Sequence, residues 1–136
     1  MKFCIKNGLP IVSIDFTYQG SNVHLERVLV DTGCAVSIFD VDAVEVTGLT
    51  IDPIDGVVKR MYGIGGQSEL CYEQILQNIK IGSFNFSDFT LQLGMTREPY
   101  GFDGILGSDY FLKSKSMIDY ANLKIYNDKN KYDRHE

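Results

Sequence analysis

The 136-residue sequence has no tryptophan, only two histidines, three prolines and three cysteines, and no long apolar run. Each shortage excludes something. No segment approaches the ~18 consecutive apolar residues of a membrane-spanning helix. The first fifteen residues hold no apolar core of leader length and no small-residue cleavage site, so no secretory signal is read there. Cys4, Cys34 and Cys71 are odd in number and far apart, and no CxxC pattern occurs. His24 and His135 are also distant from one another. A disulfide framework and a zinc site are therefore not expected, and no metal or other cofactor is called for. Free thiols suit a reducing compartment, so the expected setting is cytoplasmic. Positive charge is also in short supply: 13 Lys and Arg stand against 18 Asp and Glu, a net charge of −5. The densest basic stretch, Lys113 to Lys115, is too short to follow a phosphate backbone, so nucleic acid is not expected as a partner. Nor is a membrane.

What is present is ordinary globular material, 44% hydrophobic and 23% charged. That composition excludes disorder, collagen and coiled coil. The length suits one domain, with a core over about residues 10–127 and a charged tail at 128–136 expected to fray. The dominant pattern has period two. Val12, Ile14, Phe16 and Tyr18 alternate with Ser13, Asp15 and Thr17, as in a half-buried strand. Arg27 to Val30 becomes a continuous apolar run, as in a strand entering a core. Strands are also expected over Val57–Tyr62, Gln67–Ile81, Phe84–Phe86 and Phe89–Leu93, with a closing hairpin around Ala121-Asn122. Two short helices are expected. The first lies within Asp40–Thr47, capped by Asp40 and stopped by Gly48; the second runs over Asp109–Ser114, capped by Ser108.

Three short motifs carry the chemistry. Asp31-Thr32-Gly33 places a carboxylate just beyond a buried strand, although the same three residues also make a good turn. Gly63-Ile64-Gly65-Gly66 sits between two strand-like arms. It is not a phosphate loop: Ser68 replaces the third glycine, no lysine follows and no helix pattern opens. It reads instead as a hairpin tip that can fold over a ligand, or as a plain turn. Asp103-Gly104-Ile105-Leu106-Gly107 pins two apolar residues between glycines, which allows close backbone approach.

In this order the three motifs resemble the single-domain retropepsin-like aspartic proteases, the group of retroviral proteases and their bacterial relatives. The resemblance spans about residues 10–127. It implies a mostly-β, closed, barrel-like acid-protease protomer with a short C-terminal helix. Asp31 matches the catalytic aspartate. Thr32 matches the residue that braces the two halves of a dimer, Gly33 keeps the loop tight, and Cys34 follows where Ala or Ser is usual. Tyr62, Gly63, Ile64, Gly65 and Gly66 match the flap, with Ile64 at its tip. Gly104, Ile105, Leu106 and Gly107 match the step beneath the catalytic loop. Val30, Ile38, Ile105 and Leu106 are the pocket candidates.

The chemistry of this class uses two carboxylates that share a proton. The chain offers one Asp-Thr-Gly, so the resemblance implies a homodimer with Asp31 supplied twice, acting on a protein or peptide substrate near apolar residues. Retroviral members have acidic clamp residues and a paired arginine at positions that here read Ala35, Val36 and Ser108. Their joint absence favours the bacterial pattern. It also leaves open a second function on the same fold, a dimeric peptide-binding module without hydrolysis.

Overall fold

The computed structural model describes residues 1–62, 68–98 and 100–127. The expected tail at 128–136 and the tip at Gly63, Ile64, Gly65 and Gly66 lie outside the described residues. The alternating segments become strands: β1 (Phe3–Lys6), β2 (Leu9–Tyr18), β3 (Ser21–Val30), β4 (Ile38–Asp40), β5 (Val57–Tyr62), β6 (Ser68–Ile81), β7 (Phe84–Gly94), β8 (Gly104–Leu106), β9 (Met117–Asp119) and β10 (Lys124–Tyr126). Two helices interrupt them, α1 (Val41–Val44), continued by a 3-10 turn over Glu45–Thr47, and α2 (Ser108–Ser114). The architecture is mostly β, as expected.

Eight strands form one sheet in the order β1-β2-β3-β8-β4-β7-β6-β5, and β9 pairs with β10 separately. Strand β2 also pairs with β6, through Phe16↔Ile81 and Thr17↔Lys80. The sheet thus returns on itself as a ring of pairings, with β1 and β5 at the ends of the order. Its inner face buries the core. Phe16, Leu25, Val28, Phe39, Leu91, Leu93 and Leu106 are almost wholly buried. Phe16 meets Phe39 edge to face with ring centroids 5.2 Å apart, a geometry that adds to simple burial. Helix α2 contributes Tyr110 and Phe111 to the same core.

One strand was not read from the sequence. β1 pairs antiparallel with β2 through Lys6↔Leu9, across Asn7 and Gly8, both with positive φ, 52° and 80°. Asn-Gly is a strong two-residue hairpin signal. Lys2 then bridges to Lys124, and the Met1 carbonyl accepts from the Ile125 N–H at 2.7 Å, so the N-terminus is tied to the closing hairpin.

The first helix begins and ends where expected. One Asp40 oxygen accepts from Asp42 N at 3.0 Å and Ala43 N at 3.3 Å, and Gly48 closes the 3-10 turn at φ 88°. The second helix starts differently. Its N-cap is Gly107, and no side chain caps it. The Ser108 hydroxyl donates to the Thr32 carbonyl at 2.7 Å. A carbonyl of the adjacent loop captures the hydroxyl expected to serve the helix.

Asp40 does more than cap. Its second oxygen accepts from Thr96 N and Arg97 N, each at 2.9 Å, so one buried carboxylate satisfies four backbone donors. Asp40→Ala removes the cap and orphans these donors. It is expected to cost about 2–4 kcal/mol, read as a lower midpoint in urea unfolding. Unchanged stability would show that water replaces the carboxylate there.

Candidate active site

The site is built at β8. This three-residue strand pairs parallel with β3 through Val28↔Gly104, Leu29↔Ile105 and Val30↔Leu106. It pairs antiparallel with β4 through Ile38↔Ile105 and Phe39↔Gly104. The segment from Asp31 to Ser37 therefore has to leave β3, turn, and return beside β8 within seven residues. Close approach requires the two glycines of the third motif. A Cβ on Gly104 would lie 2.6 Å from a ring carbon of Phe39, and one on Gly107 would lie 2.5 Å from the Val36 oxygen and 2.6 Å from the Cys34 oxygen.

Part of the hold on the loop is through its backbone. Asp31 N donates to Leu106 O at 2.9 Å, Cys34 N to Asp31 O at 3.1 Å and Ser108 N to Cys34 O at 2.8 Å. The Asp31 carboxylate accepts from Gly33 N at 3.0 Å, an Asx turn. Asp31 is half-buried, whereas Thr32 and Gly33 are exposed at the turn.

A second group of bonds, not read from the sequence, ties the loop to α2. The Asp109 carboxylate accepts from Ser37 N at 2.9 Å and from the Ser37 hydroxyl at 2.7 Å. It also accepts from Tyr110 N at 2.7 Å. The Ser37 hydroxyl in turn accepts from Gly107 N at 3.0 Å. Ser37 and Asp109 thus join the return of the loop to the start of the helix, in a chain that lacks the retroviral acid and arginine. Ser37 is fully buried, where a hydroxyl needs partners.

Asp31 stands on the wall of a cleft of about 300 Å³. Cys34, Ile38 and Ile105 line it, as does Tyr62 from the end of β5. Val30 and Leu106, expected at the pocket, lie in the core instead. They occupy alternate positions to Leu29 and Ile105, and it is Leu29 and Ile105 that face the cleft, because successive strand side chains point to opposite faces. Leu29 was one residue away from the expected Val30. Other lining residues were not anticipated: Met61, Glu69, Cys71, Met95, Thr96, Tyr100 and Phe102. They come from distant parts of the chain, which a local pattern does not bring together.

Asp103, the other carboxylate beside a glycine motif, is committed elsewhere. One oxygen accepts from Glu26 N at 3.0 Å and Arg27 N at 3.2 Å, and the other from Arg97 Nε at 2.8 Å.

Two thiols face the cleft. The Cys34 Sγ donates to the Val36 carbonyl at 3.1 Å, so it is turned toward the loop backbone. Burial raises this thiol above its ordinary pKa, and the charges of Asp31 and Asp109 push the same way. Burial raises Cys71 further, to about 11, with Glu69 adding to the rise. Both are poor nucleophiles at neutral pH, because the thiolate is the reactive form.

No protein-family model and no curated protein sequence matches the chain. Solved structures do. The chain is similar to a retropepsin-like aspartic protease from Rickettsia conorii, with TM-score 0.63 and 18% identity over 93% of this chain and 89% of that one. It is also similar to the retroviral protease-like domain of Ddi1 from Leishmania major, with TM-score 0.51 and 17% identity over 87% of each chain. The chain has a retropepsin-like fold.

The thiols give a direct check on the cleft geometry. At neutral pH, iodoacetamide is expected to label exposed Cys4 first and buried Cys71 last by a wide margin, read by peptide mass spectrometry. Labelling of Cys71 as fast as Cys4 would show that the cleft wall opens readily.

Proposed function

We propose that this chain is an aspartic-type endopeptidase that acts as a homodimer and cleaves extended polypeptide near apolar residues. The observation that carries this reading is the placement of Asp31. Its carboxylate stands on the wall of a largely apolar cleft that Glu69 also lines, on a turn whose next two residues are exposed. The retropepsin-like fold supports it.

The mechanism needs two carboxylates at about 3 Å, sharing one proton. Asp103 is engaged by its own neighbours, which favours the Asp31 of a second copy across a two-fold axis. Exposed Thr32 is then the residue that braces the two turns, and Gly33 and Cys34 shape the loop behind them. In the pair, the ionised carboxylate takes a proton from water as the water oxygen attacks the peptide carbonyl carbon. The protonated carboxyl donates to the carbonyl oxygen. Collapse of the tetrahedral intermediate returns a proton to the leaving amine. Ile38 and Ile105 line the apolar part of the site with Leu29, and Tyr62 lines it from the end of β5. The whole chain is taken as one such domain. Three unpaired thiols fit a cytoplasmic setting, and no described helix is long and apolar enough to cross a membrane.

Asp31→Asn is nearly isosteric, and its side-chain oxygen can still accept from Gly33 N. The variant is expected to fold and to sediment, like the wild type, at twice the chain mass. Its cleavage of a denatured protein mixture in mildly acidic buffer is expected to fall by at least about 10²–10⁴-fold, read as new termini by mass spectrometry. Undiminished cleavage would remove Asp31 from the chemistry. A wild-type dimer that binds peptide in the cleft but never cleaves it would favour the binding module.

A further inference from the structure

We infer that Ser108 is a positioning residue for the reaction, acting on Asp31 through the one peptide group between Thr32 and Gly33; this rests on the function proposed above. The Ser108 hydroxyl donates to the Thr32 carbonyl at 2.7 Å. The Gly33 N–H donates to the Asp31 carboxylate at 3.0 Å. The Thr32 C=O and the Gly33 N–H are the two ends of a single planar peptide unit. The hydroxyl therefore fixes, from one side, the plane whose other side holds the carboxylate. A carbonyl that accepts a hydrogen bond also makes the N–H of its own peptide a better donor. The Ser108 bond thus orients the peptide and strengthens its hold on Asp31.

Through Ser108 the turn is referred to the core. Among the described residues, three hydrogen bonds reach the backbone of Asp31, Thr32 and Cys34 from outside the loop. Leu106 O accepts from Asp31 N at 2.9 Å where the chain enters the turn. The other two come from Ser108: its N–H donates to Cys34 O at 2.8 Å, and its hydroxyl to Thr32 O. Ser108 opens α2. The next two residues but one, Tyr110 and Phe111, are buried, and the Tyr110 hydroxyl donates to Ile81 O at 3.2 Å. A helix anchored in this way gives its first residue a fixed position. Thr32 and Gly33 themselves are exposed. Without the hydroxyl, water satisfies the Thr32 carbonyl and the peptide plane is free to turn. The stability lost with such an exposed bond is small. Proton sharing between two carboxylates, in contrast, depends closely on where each one stands.

The test compares the wild type with Ser108→Ala and with Ser108→Thr, which keeps the hydroxyl. Both variants are expected to melt close to the wild type and to sediment as it does. In isotope-labelled protein, the Gly33 amide proton is expected to exchange faster with solvent and to resonate upfield in Ser108→Ala, and to return toward its wild-type behaviour in Ser108→Thr. Turnover is read with a quenched peptide built around a bond that the wild type cuts in the denatured protein mixture. Ser108→Ala is expected to lower kcat by about 10- to 100-fold with KM within about twofold, and Ser108→Thr to restore most of the loss. An unmoved Gly33 amide overturns the inference whatever the turnover. So does a wild-type kcat in Ser108→Ala, a loss confined to KM, or a loss that Ser108→Thr does not repair. A wild type that cuts no bond in the mixture contradicts the proposed function itself, and with it any part of Ser108 in the reaction.

Discussion

β8 has three residues and two neighbours, and the geometry of the site depends on that. Val28, Leu29 and Val30 run parallel to it on one side, and Ile38 and Phe39 run antiparallel on the other. Such a crossing needs backbones closer than side chains allow, which is why Gly104 and Gly107 flank it. Either glycine with a Cβ would come within 2.6 Å of a ring carbon or a carbonyl oxygen, well inside van der Waals contact. Because β3 and β4 are held to one short strand, the residues between them have little freedom. Asp31 is the first residue of that constrained turn.

The same constraint determines which groups remain available. The loop uses its backbone N–H and C=O groups on Leu106, Ser108 and its own turn. The Ser37 hydroxyl and the Asp109 carboxylate complete the tie to α2. Among the described residues, the Asp31 carboxylate accepts one hydrogen bond, from Gly33 N, while facing a largely apolar cleft. A charge in such a place is costly without a partner. In the dimer proposed above, a second copy of the same turn supplies a partner that lowers this cost by sharing a proton. On that proposal each copy presents half of a site, and burial raises both thiols beside it.

Much of this was legible in the sequence, and the limits have physical causes. Strand β2, the start of β3 and part of β7 followed from alternation, which reports burial of one face. Asp40 and Gly48 were readable as helix ends because capping is local chemistry. The Asn7-Gly8 hairpin was equally local and was overlooked, which hid β1. Other features were not local. Gln92 alternates with Leu91 and Leu93 and reads as solvent-facing, yet it is 1% exposed, because β4 pairs beside it through Ile38 and Glu73 takes its amide at 3.0 Å. Ser108 read as a cap and instead serves Thr32, a residue 76 positions away in sequence. Ile38 and Ile105 were found at the cleft while Val30 and Leu106 were not, because a one-residue shift reverses the face of a strand. The motifs located the turn. The wall around it, from Met61 to Phe102, exists only after the sheet has curled.

The central claim is that Asp31 meets its own copy. A crystal structure of the protein tests it most directly, through the distance between the two Asp31 carboxylates in the dimer. The account predicts a two-fold axis through the pair of Asp-Thr-Gly turns, with carboxylate oxygens about 3 Å apart. Dimers that place the two turns on separate faces, each cleft closed off with a lone carboxylate, would contradict it.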